Sequence, residues 1–381
     1  MTRFIEFIIS LLIVAALFVV IALFLPARRV YSHQIETNRP MTTVFDTLNG
    51  FQRVKDWNAL VKRDPRMQIT LSGAESGVGA KFDYASSDRV IGNGSWEIVE
   101  SVPGELIRYK LSNNARGADK EVSFLFDRTG QRKQNVEVTE FYEVSYGWDL
   151  LGRYAGLYVS SNVGEDIKHS LDQLTNLMVT IPKFDYSKNP EPYAVADLPM
   201  QDVLVVTTAA KRENEAISTA MENQLKWIQQ VMENNGLEAN GPLRVVTNEF
   251  TADSYGFDIV MPVRKRGAVP AAPVDAGAPA DGSEAPAAAA DTGPVVAAGA
   301  PLAVKLEGPV VYAQLPARKV VSTGYTGPAP ALPQIRDMAR AWAMVHGFET
   351  DDRPYEEYLV PISQIYSDDA KFKVYWPLKN K

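Results

Sequence analysis

The chain has 381 residues, of which 46% are apolar and 22% are charged, and its formal net charge is −7. These values are typical of globular protein, and the length is sufficient for about two domains. An acidic chain without a long basic block does not favour nucleic acid as a partner, because phosphate binding needs clustered Lys and Arg.

The chain contains no cysteine, which excludes disulfides, thiolate chemistry and cysteine-ligated metals. Its three histidines, His33, His169 and His346, are far apart and have no ligand-like spacing. We therefore expect no metal site and no cofactor, and no histidine-based catalytic triad can be argued.

The first predicted element is an apolar segment from Phe4 to Pro26. About twenty helical residues cross a bilayer core of about 30 Å, so this segment predicts one membrane-spanning helix. A cleaved signal peptide is the alternative, but the run ends in LFLPARR, which is a poor cleavage site. The arginines around the span favour a cytoplasmic location for the rest of the chain. They are Arg3 before the span, and Arg28, Arg29 and Arg39 after it.

Next come one strand, one or two short helices and then a series of short segments rich in β-branched and aromatic residues. Gly, Pro, Asn or Asp separates these segments, which predicts a run of antiparallel strands. A closing helix is predicted from apolar residues at helical spacing. These residues are Val163, Ile167, Leu171, Leu174 and Met178. Strands packed on one long helix constitute an α+β arrangement.

Four segments within residues 32–184 resemble successive signatures of the START-like, polyketide cyclase/dehydrase-like (SRPBCC) helix-grip family. They are DWNALVKRDPRM, SGAESGVGAKFDYAS, GNGSWEIVESVPGELIRYKL and NVGEDIKHSLDQL. The resemblance implies a curved sheet around the closing helix, with an apolar cavity between them for a hydrophobic molecule. It implies no fixed chemistry, since members bind lipids, hormones or polyketides and only some catalyse.

Residues 198–378 contain an internal repeat. Each copy is predicted as strand, helix, strand, strand, and Pro242 of the first copy matches Pro354 of the second. We expect the copies to pair into one sheet with two helices on one side and a concavity at the pseudo-twofold. Between the copies, residues 267–301 are rich in Ala, Pro and Gly and contain no aromatic or basic residue. This composition predicts a disordered tether.

Most of residues 308–378 resembles the GyrI-like, AraC-type effector-binding family. The segments that carry the resemblance are STGYTGP, ARAWAMVHGF, YEEYLVP and FKVYWPL. Members bind drugs, cations and other amphipathic compounds in the concavity, and the glutamate of their E-x-Y motif lies in that pocket. No DNA-binding helix-turn-helix precedes the domain here, so a role as a transcription factor is not supported.

On this sequence the resemblance assigns the pocket glutamate to Glu356 and its tyrosine to Tyr358, with Arg244 at the matching place of the first copy. Neighbouring strand residues point to opposite faces, so Glu357 should face away from the pocket, where it could meet solvent. We predict five ligand-binding residues. They are Glu356, Tyr358, Trp342, Tyr325 and Trp376.

The sequence therefore predicts a membrane-anchored protein with two domains that bind small molecules. The first would hold a hydrophobic ligand, and the second would sense or sequester an amphipathic one, cations included. Other interpretations stay open. Glu356 could instead form an ion pair with Arg353 or Lys373, and the tryptophans could belong to the core. The chain could also be a hydrolase or cyclase for a hydrophobic molecule, or an interaction module with a lapsed pocket.

Overall fold

The computed structural model describes residues 2–267 and 301–379, and the chain divides into two compact units. One unit comprises Met1–Ser187 and Met344–Gly347, and the other comprises Lys188–Ala343 and Phe348–Lys381. Residues 268–300, which make up almost all of the predicted tether, lie outside the described residues.

The first unit is a mixed α+β structure, in which helices accompany a seven-stranded antiparallel sheet. Its helices are α1 (Thr2–Phe24), α2 (Met41–Leu48), α3 (Val54–Trp57), α4 (Ala59–Arg63), α5 (Leu150–Ala155) and α6 (Val159–Thr180). Its strands are β1 (Arg28–Thr37), β2 (Gln68–Gly73), β3 (Ala80–Ala85), β4 (Asn93–Val102), β5 (Leu106–Asn113), β6 (Ala118–Thr129) and β7 (Asn135–Ser145). The strand order is β1-β7-β6-β5-β4-β3-β2, so β1 alone pairs out of sequence.

Helix α1 is long and apolar enough to cross a membrane. Its most apolar window has a mean hydropathy of 3.3 and is 6% buried, which distinguishes it from the core helix of a globular domain. A signal sequence near the N-terminus passes the same test of length and composition, so this test does not separate an anchor from a signal.

Helix α6 packs on the concave side of the sheet through the apolar residues that its spacing predicts. Ile167, Leu171, Leu174 and Met178 are buried. The helix also passes very close to β1, because a Cβ atom at Gly164 would lie 2.8 Å from the Tyr31 ring. Glycine weakens a helix by about 1 kcal/mol relative to alanine, and here it permits this close approach.

The second unit contains nine strands in one antiparallel sheet and most of two long helices. Its strands are β8 (Tyr193–Leu198), β9 (Gln201–Lys211), β10 (Leu237–Ala239), β11 (Leu243–Phe250), β12 (Ser254–Lys265), β13 (Val311–Leu315), β14 (Arg318–Thr326), β15 (Tyr355–Tyr358) and β16 (Lys371–Pro377). Its helices are α7 (Asn214–Asn234) and α8 (Leu332–Val345).

Along this second sheet the strand order is β13-β9-β12-β11-β15-β16-β14-β8, and β10 pairs with β12. Apart from the short strand β10, which lies between α7 and β11, the run β9-α7-β11-β12 has the same order of element types as β14-α8-β15-β16. The third elements of the two runs, β11 and β15, are neighbours, with Val245 opposite Glu356. This pairing brings the strand that carries Glu356 to the middle of the sheet.

Leu174→Ala should test the packing of α6, because Leu174 is fully buried between the helix and the sheet. We expect the free energy of unfolding of the first unit to fall by about 2–5 kcal/mol, measured by urea unfolding. Val179→Ala, at an exposed position of the same helix, should change it by less than about 0.5 kcal/mol. Equal effects of the two substitutions would contradict this packing.

Candidate functional site

A cavity of about 190 Å³ lies in the second unit, beside the first turns of α7 and α8 and against β12 and β15. A cavity of about 150 Å³ holds a benzene ring, so this one is large enough for a small ring compound. Most of its wall is apolar or aromatic. The lining residues are Arg212, Asn214, Ile217, Phe250, Tyr255, Ala329, Pro330, Leu332, Pro333, Arg336, Glu356, Tyr358, Ile365 and Tyr366.

Glu356 supplies a carboxyl group to this cavity and is 1% exposed. It lies on the same face of β15 as Tyr358, as strand alternation predicts. The Nε atom of Arg336 on α8 lies 3.0 Å from Glu356 Oε1, which is an ion pair. The ion pair considered from the sequence therefore exists, but the expected partners were wrong. Arg353 lies beside Asp258 and Lys373 over the Tyr375 ring.

The Glu356–Arg336 pair retains capacity for a further polar partner. Arg336 Nη1 donates to Thr247 Oγ1 at 2.6 Å, and that hydroxyl is hydrogen-bonded to Tyr255 at 3.0 Å. Glu356 Oε1 accepts no hydrogen bond within the described part of the chain, although Arg336 is close. Burial raises the pKa of Glu356, and the guanidinium of Arg336 opposes that shift. A ligand in the cavity would meet a buried carboxyl group that is neutralised but not saturated with hydrogen bonds.

Glu357 is absent from the lining of this cavity, and it does not meet solvent either, because it is 7% exposed. The Nε and Nη2 atoms of Arg244 donate to Glu357 Oε1 at 3.0 and 2.9 Å. The Tyr375 hydroxyl donates to Glu357 Oε2 at 2.8 Å. Both carboxylate oxygens are therefore occupied by protein groups, and the role of this residue is structural.

Arg244 does not occupy the place in the first copy that the sequence match assigned to it. It stands directly opposite Glu357 in the β11–β15 pair, and Val245 stands opposite Glu356. Residues opposite each other in an antiparallel pair project to the same face, so Arg244 points away from the cavity.

The other predicted ligand-binding residues lie outside the lining of this cavity. The ring of Tyr325 stacks on Phe372 with centroids 6.1 Å apart, and Trp342 stacks on Tyr193 at 5.6 Å. Trp376 packs, together with Trp342, against a small buried apolar cluster. Their role in ligand binding stays a prediction, and Glu356 and Tyr358 are the two of the five that the structure brings together in the cavity.

Sequence reasoning missed Arg336, which the structure places against Glu356. A usable signal was present, because Arg336 follows Leu332 by four residues and precedes Ala339 by three. Both of these apolar residues are buried, so an arginine in the same phase must also face inward.

A second cavity, of about 140 Å³, lies in the first unit between α6 and the concave side of the sheet. Its lining is mostly apolar, aromatic or amide. The residues are Asn58, Leu60, Tyr84, Trp96, Leu111, Asn113, Ala115, Val122, Glu140, Tyr142, Val163, Asp166, Ile167 and Ser170. Of the predicted helical stripe, Val163 and Ile167 therefore face this space.

Glu140 on β7 is the unexpected member of this lining, since it is 2% exposed. Its Oε2 atom has no hydrogen-bond partner among residues 2–267 and 301–379. Burial raises the pKa of Glu140 to about 8, so at neutral pH the group is mostly protonated. The sequence contained a signal for this residue too, because Glu140 alternates in phase with the buried Val138 and Tyr142.

Two other charged groups near the first-unit cavity have protein partners of their own. Asp166 forms an ion pair with Arg63. The ammonium of Lys120 donates to Asn113 Oδ1 at 2.6 Å and to the Ala115 carbonyl at 2.5 Å. Within the described ranges Glu140 forms no ion pair, so removal of water dominates its protonation. In the part of the chain that the structure describes, no group of three His, Asp or Glu side chains could hold a metal ion.

No family model matches the sequence, and no curated protein matches it. Similar solved structures include the EcmrR C-terminal domain, with 15% identity, 50% of this chain and 99% of that chain covered, and a TM-score of 0.35. Norcoclaurine synthase from Thalictrum flavum, in complex with dopamine and hydroxybenzaldehyde, is 12% identical. The match covers 40% of this chain and 87% of that chain, with a TM-score of 0.32. Protein CV1439 from Chromobacterium violaceum is 15% identical, and the match covers 39% of this chain and 96% of that chain, with a TM-score of 0.29. These low scores establish no family and no function.

Glu357→Gln should destabilise the second unit, because it leaves the buried guanidinium of Arg244 without a counter-charge. Breaking a buried pair from one side costs about 3–5 kcal/mol, which urea unfolding would measure. Glu349→Gln breaks the exposed pair with Lys379 and should cost less than about 1 kcal/mol. A similar small loss in both variants would show that Glu357 is not structural.

Glu140→Gln should alter how stability depends on pH. The pKa of Glu140 is raised from 4.5 to about 8 in the folded chain, so the unfolded chain releases this proton first as the pH rises. Through this group, the free energy of unfolding should fall by about 1.4 kcal/mol per pH unit across that range. The variant lacks this loss. The free energy of unfolding of the variant minus that of the natural chain should therefore increase between about pH 5.5 and about pH 7.5, as measured by urea unfolding.

Glu137→Gln, on the outward face of the same strand, is the matched control and should show no such increase. If Glu140→Gln gives the same difference from the natural chain at both pH values, then Glu140 does not retain its proton in the folded state.

Proposed function

We propose that this protein is anchored in a membrane by α1 and binds small amphipathic molecules in two separate cavities. One observation carries the proposal: each unit encloses a cavity into whose apolar and aromatic lining a fully buried glutamate is built. Burying a carboxyl group costs free energy, and a purely structural core gains nothing from placing one beside a cavity. A ligand whose polar group binds the carboxyl group would account for this position.

In the second unit, the proposed ligand places its apolar part among Ile217, Phe250 and Leu332 and its polar group at Glu356. Arg336 already neutralises Glu356, so a ligand cation must compete with this guanidinium. The aromatic rings of Tyr255 and Tyr358 favour a cation at that place through their negative faces. We assign this unit to a GyrI-like effector-binding domain, residues 198–378, that senses or sequesters such ligands.

In the first unit, the proposed ligand is more hydrophobic, and its polar group is uncharged. Glu140 forms no ion pair with any residue that the structure describes, and burial favours its protonated form at neutral pH, so it offers an O–H donor. A carbonyl, ether or hydroxyl oxygen on a lipid-like or aromatic molecule would satisfy it. We assign this unit to a START-like helix-grip domain, residues 32–184, with cytoplasmic exposure.

A catalytic role is the second candidate, and one observation favours it. The pKa of Glu140, about 8, lies near neutral pH, where a general acid or base works best. A hydrolase or cyclase would convert a hydrophobic substrate in this cavity, whereas a binding protein would return it unchanged. Mass spectra of hydrophobic extracts incubated with the natural chain and with Glu140→Gln would separate the two, since only catalysis yields new products that the variant lacks.

Glu356→Gln should weaken the binding of cationic ligands and spare neutral ones, because it keeps the shape of the side chain and removes its charge. Loss of one charge-assisted contact costs about 1.5–3 kcal/mol, or roughly ten- to a hundredfold in affinity. Benzyltrimethylammonium is a cation, and neopentylbenzene is an uncharged compound of the same shape. Each would be titrated against the full chain in competition with an apolar fluorescent dye, after circular dichroism has shown that the variant is folded.

Glu249→Gln, at an exposed position of the neighbouring strand β11, is the control and should leave both affinities unchanged. Equal weakening of both probes by Glu356→Gln would mean that the Glu356–Arg336 pair only shapes the cavity. No change for either probe would mean that ligands do not use this carboxyl group.

A further inference from the structure

A patch of exposed apolar side chains lies beside the C-terminal end of α1. Its members are Trp148, Leu151, Leu157 and Tyr158, on α5 and the turns that flank it. Trp148 is 83% exposed, and the other three are exposed as well. Single exposed apolar residues are common, but four large ones close together on one short segment, next to an apolar helix, favour a surface that contacts something other than water.

The charged side chains of this segment have partners within the protein. The guanidinium of Arg153 lies over the Trp148 ring, 5.9 Å from its centroid. Asp149 accepts a hydrogen bond from the backbone N–H of Gly152 at 2.9 Å and forms an ion pair with Arg116. Arg153 donates to three backbone carbonyls at the end of α1, at 3.1 to 3.3 Å. A guanidinium there satisfies oxygens that a helix end leaves unpaired, and it holds α5 against α1.

Helix α5 lies alongside the last turns of α1 and not beyond them. The rings of Phe18 and Tyr154 are stacked with centroids 4.2 Å apart, and the Tyr154 hydroxyl donates to the Phe18 carbonyl at 2.9 Å. Phe18 precedes Phe24 by about 9 Å along the axis, at about 1.5 Å per residue. A bilayer that encloses α1 as far as Phe24 therefore also reaches α5.

We propose that Trp148, Leu151, Leu157 and Tyr158 form a membrane-contact surface that inserts into the headgroup and upper acyl region of the bilayer. The inference rests on the proposed anchoring role of α1 and adds a second membrane contact from the folded domain. Trp and Tyr favour this depth, because their rings are apolar while their N–H and O–H groups reach water.

This contact brings the first-unit cavity close to lipid. Helix α6 begins directly after the patch, and its residue Val163 lines the cavity. Tyr158 and Val163 are separated by about 8 Å along the helix axis, at about 1.5 Å per residue. A hydrophobic ligand that leaves the bilayer at the patch would therefore have a short path to the cavity.

The test uses the full chain, in which any introduced cysteine is a unique labelling site because the sequence has none. Leu151→Cys and Tyr158→Cys report on the patch, and Ile13→Cys reports on the middle of α1. Val78→Cys is the matched control, since Val78 is exposed in the turn between β2 and β3, at the end of the sheet away from α1. Each variant carries a nitrobenzoxadiazole fluorophore and is reconstituted in phosphatidylcholine vesicles.

We expect labels at positions 13, 151 and 158 to lose most of their emission to doxyl groups on the acyl chains and to be protected from aqueous iodide. The label at position 78 should show the reverse. If position 13 is protected while positions 151 and 158 behave like position 78, the contact surface is refuted and the anchor stands. If iodide reaches position 13 as well, the anchor is refuted and the contact surface with it.

Discussion

The cost of removing water from a carboxyl group governs the chemistry of both units. An ionised carboxylate is unfavourable in a protein interior, so a buried glutamate needs a cation, hydrogen-bond donors or its own proton. Glu357 has a guanidinium and a phenol, Glu356 has an arginine that leaves one oxygen without a hydrogen bond, and Glu140 retains its proton. These three solutions leave increasing capacity for a ligand, and the two glutamates with spare capacity themselves line the two cavities described above.

The predictions that agree with the structure rest on local patterns in the sequence. The apolar N-terminal helix follows from the length of its apolar run, and the mixed α+β class from the order of the segments. The buried stripe of α6 and the shared face of Glu356 and Tyr358 follow from a helical and a twofold period. The same method would also have found Glu140, whose phase on β7 is inward. The strand alternation was not applied to Glu140, although position in the alternation decides which face a side chain takes and residue type does not.

Contacts between elements distant in sequence could not be derived in this way. Arg336 contacts Glu356 from helix α8, and no pattern in either segment indicates that the two side chains are in contact. The facing of Arg244 depends on the register between β11 and β15, and a shift of one residue moves a side chain to the other face. The alignment of the two copies could not fix this register to within one residue, because the segments that precede β11 and β15 differ in length. Strands β8 and β13 extend the sheet at its two ends and were not predicted.

The central claim is that the two cavities hold small molecules. Native mass spectrometry of the full chain, isolated with mild detergent from cells that produce it, tests it most directly. The account predicts that the chain carries additional mass, that collisional activation releases this mass as small amphipathic or hydrophobic molecules, and that Glu140→Gln or Glu356→Gln reduces the amount retained. A chain that is recovered at its own mass alone, with no small molecule in the matched solvent extract, would contradict the claim.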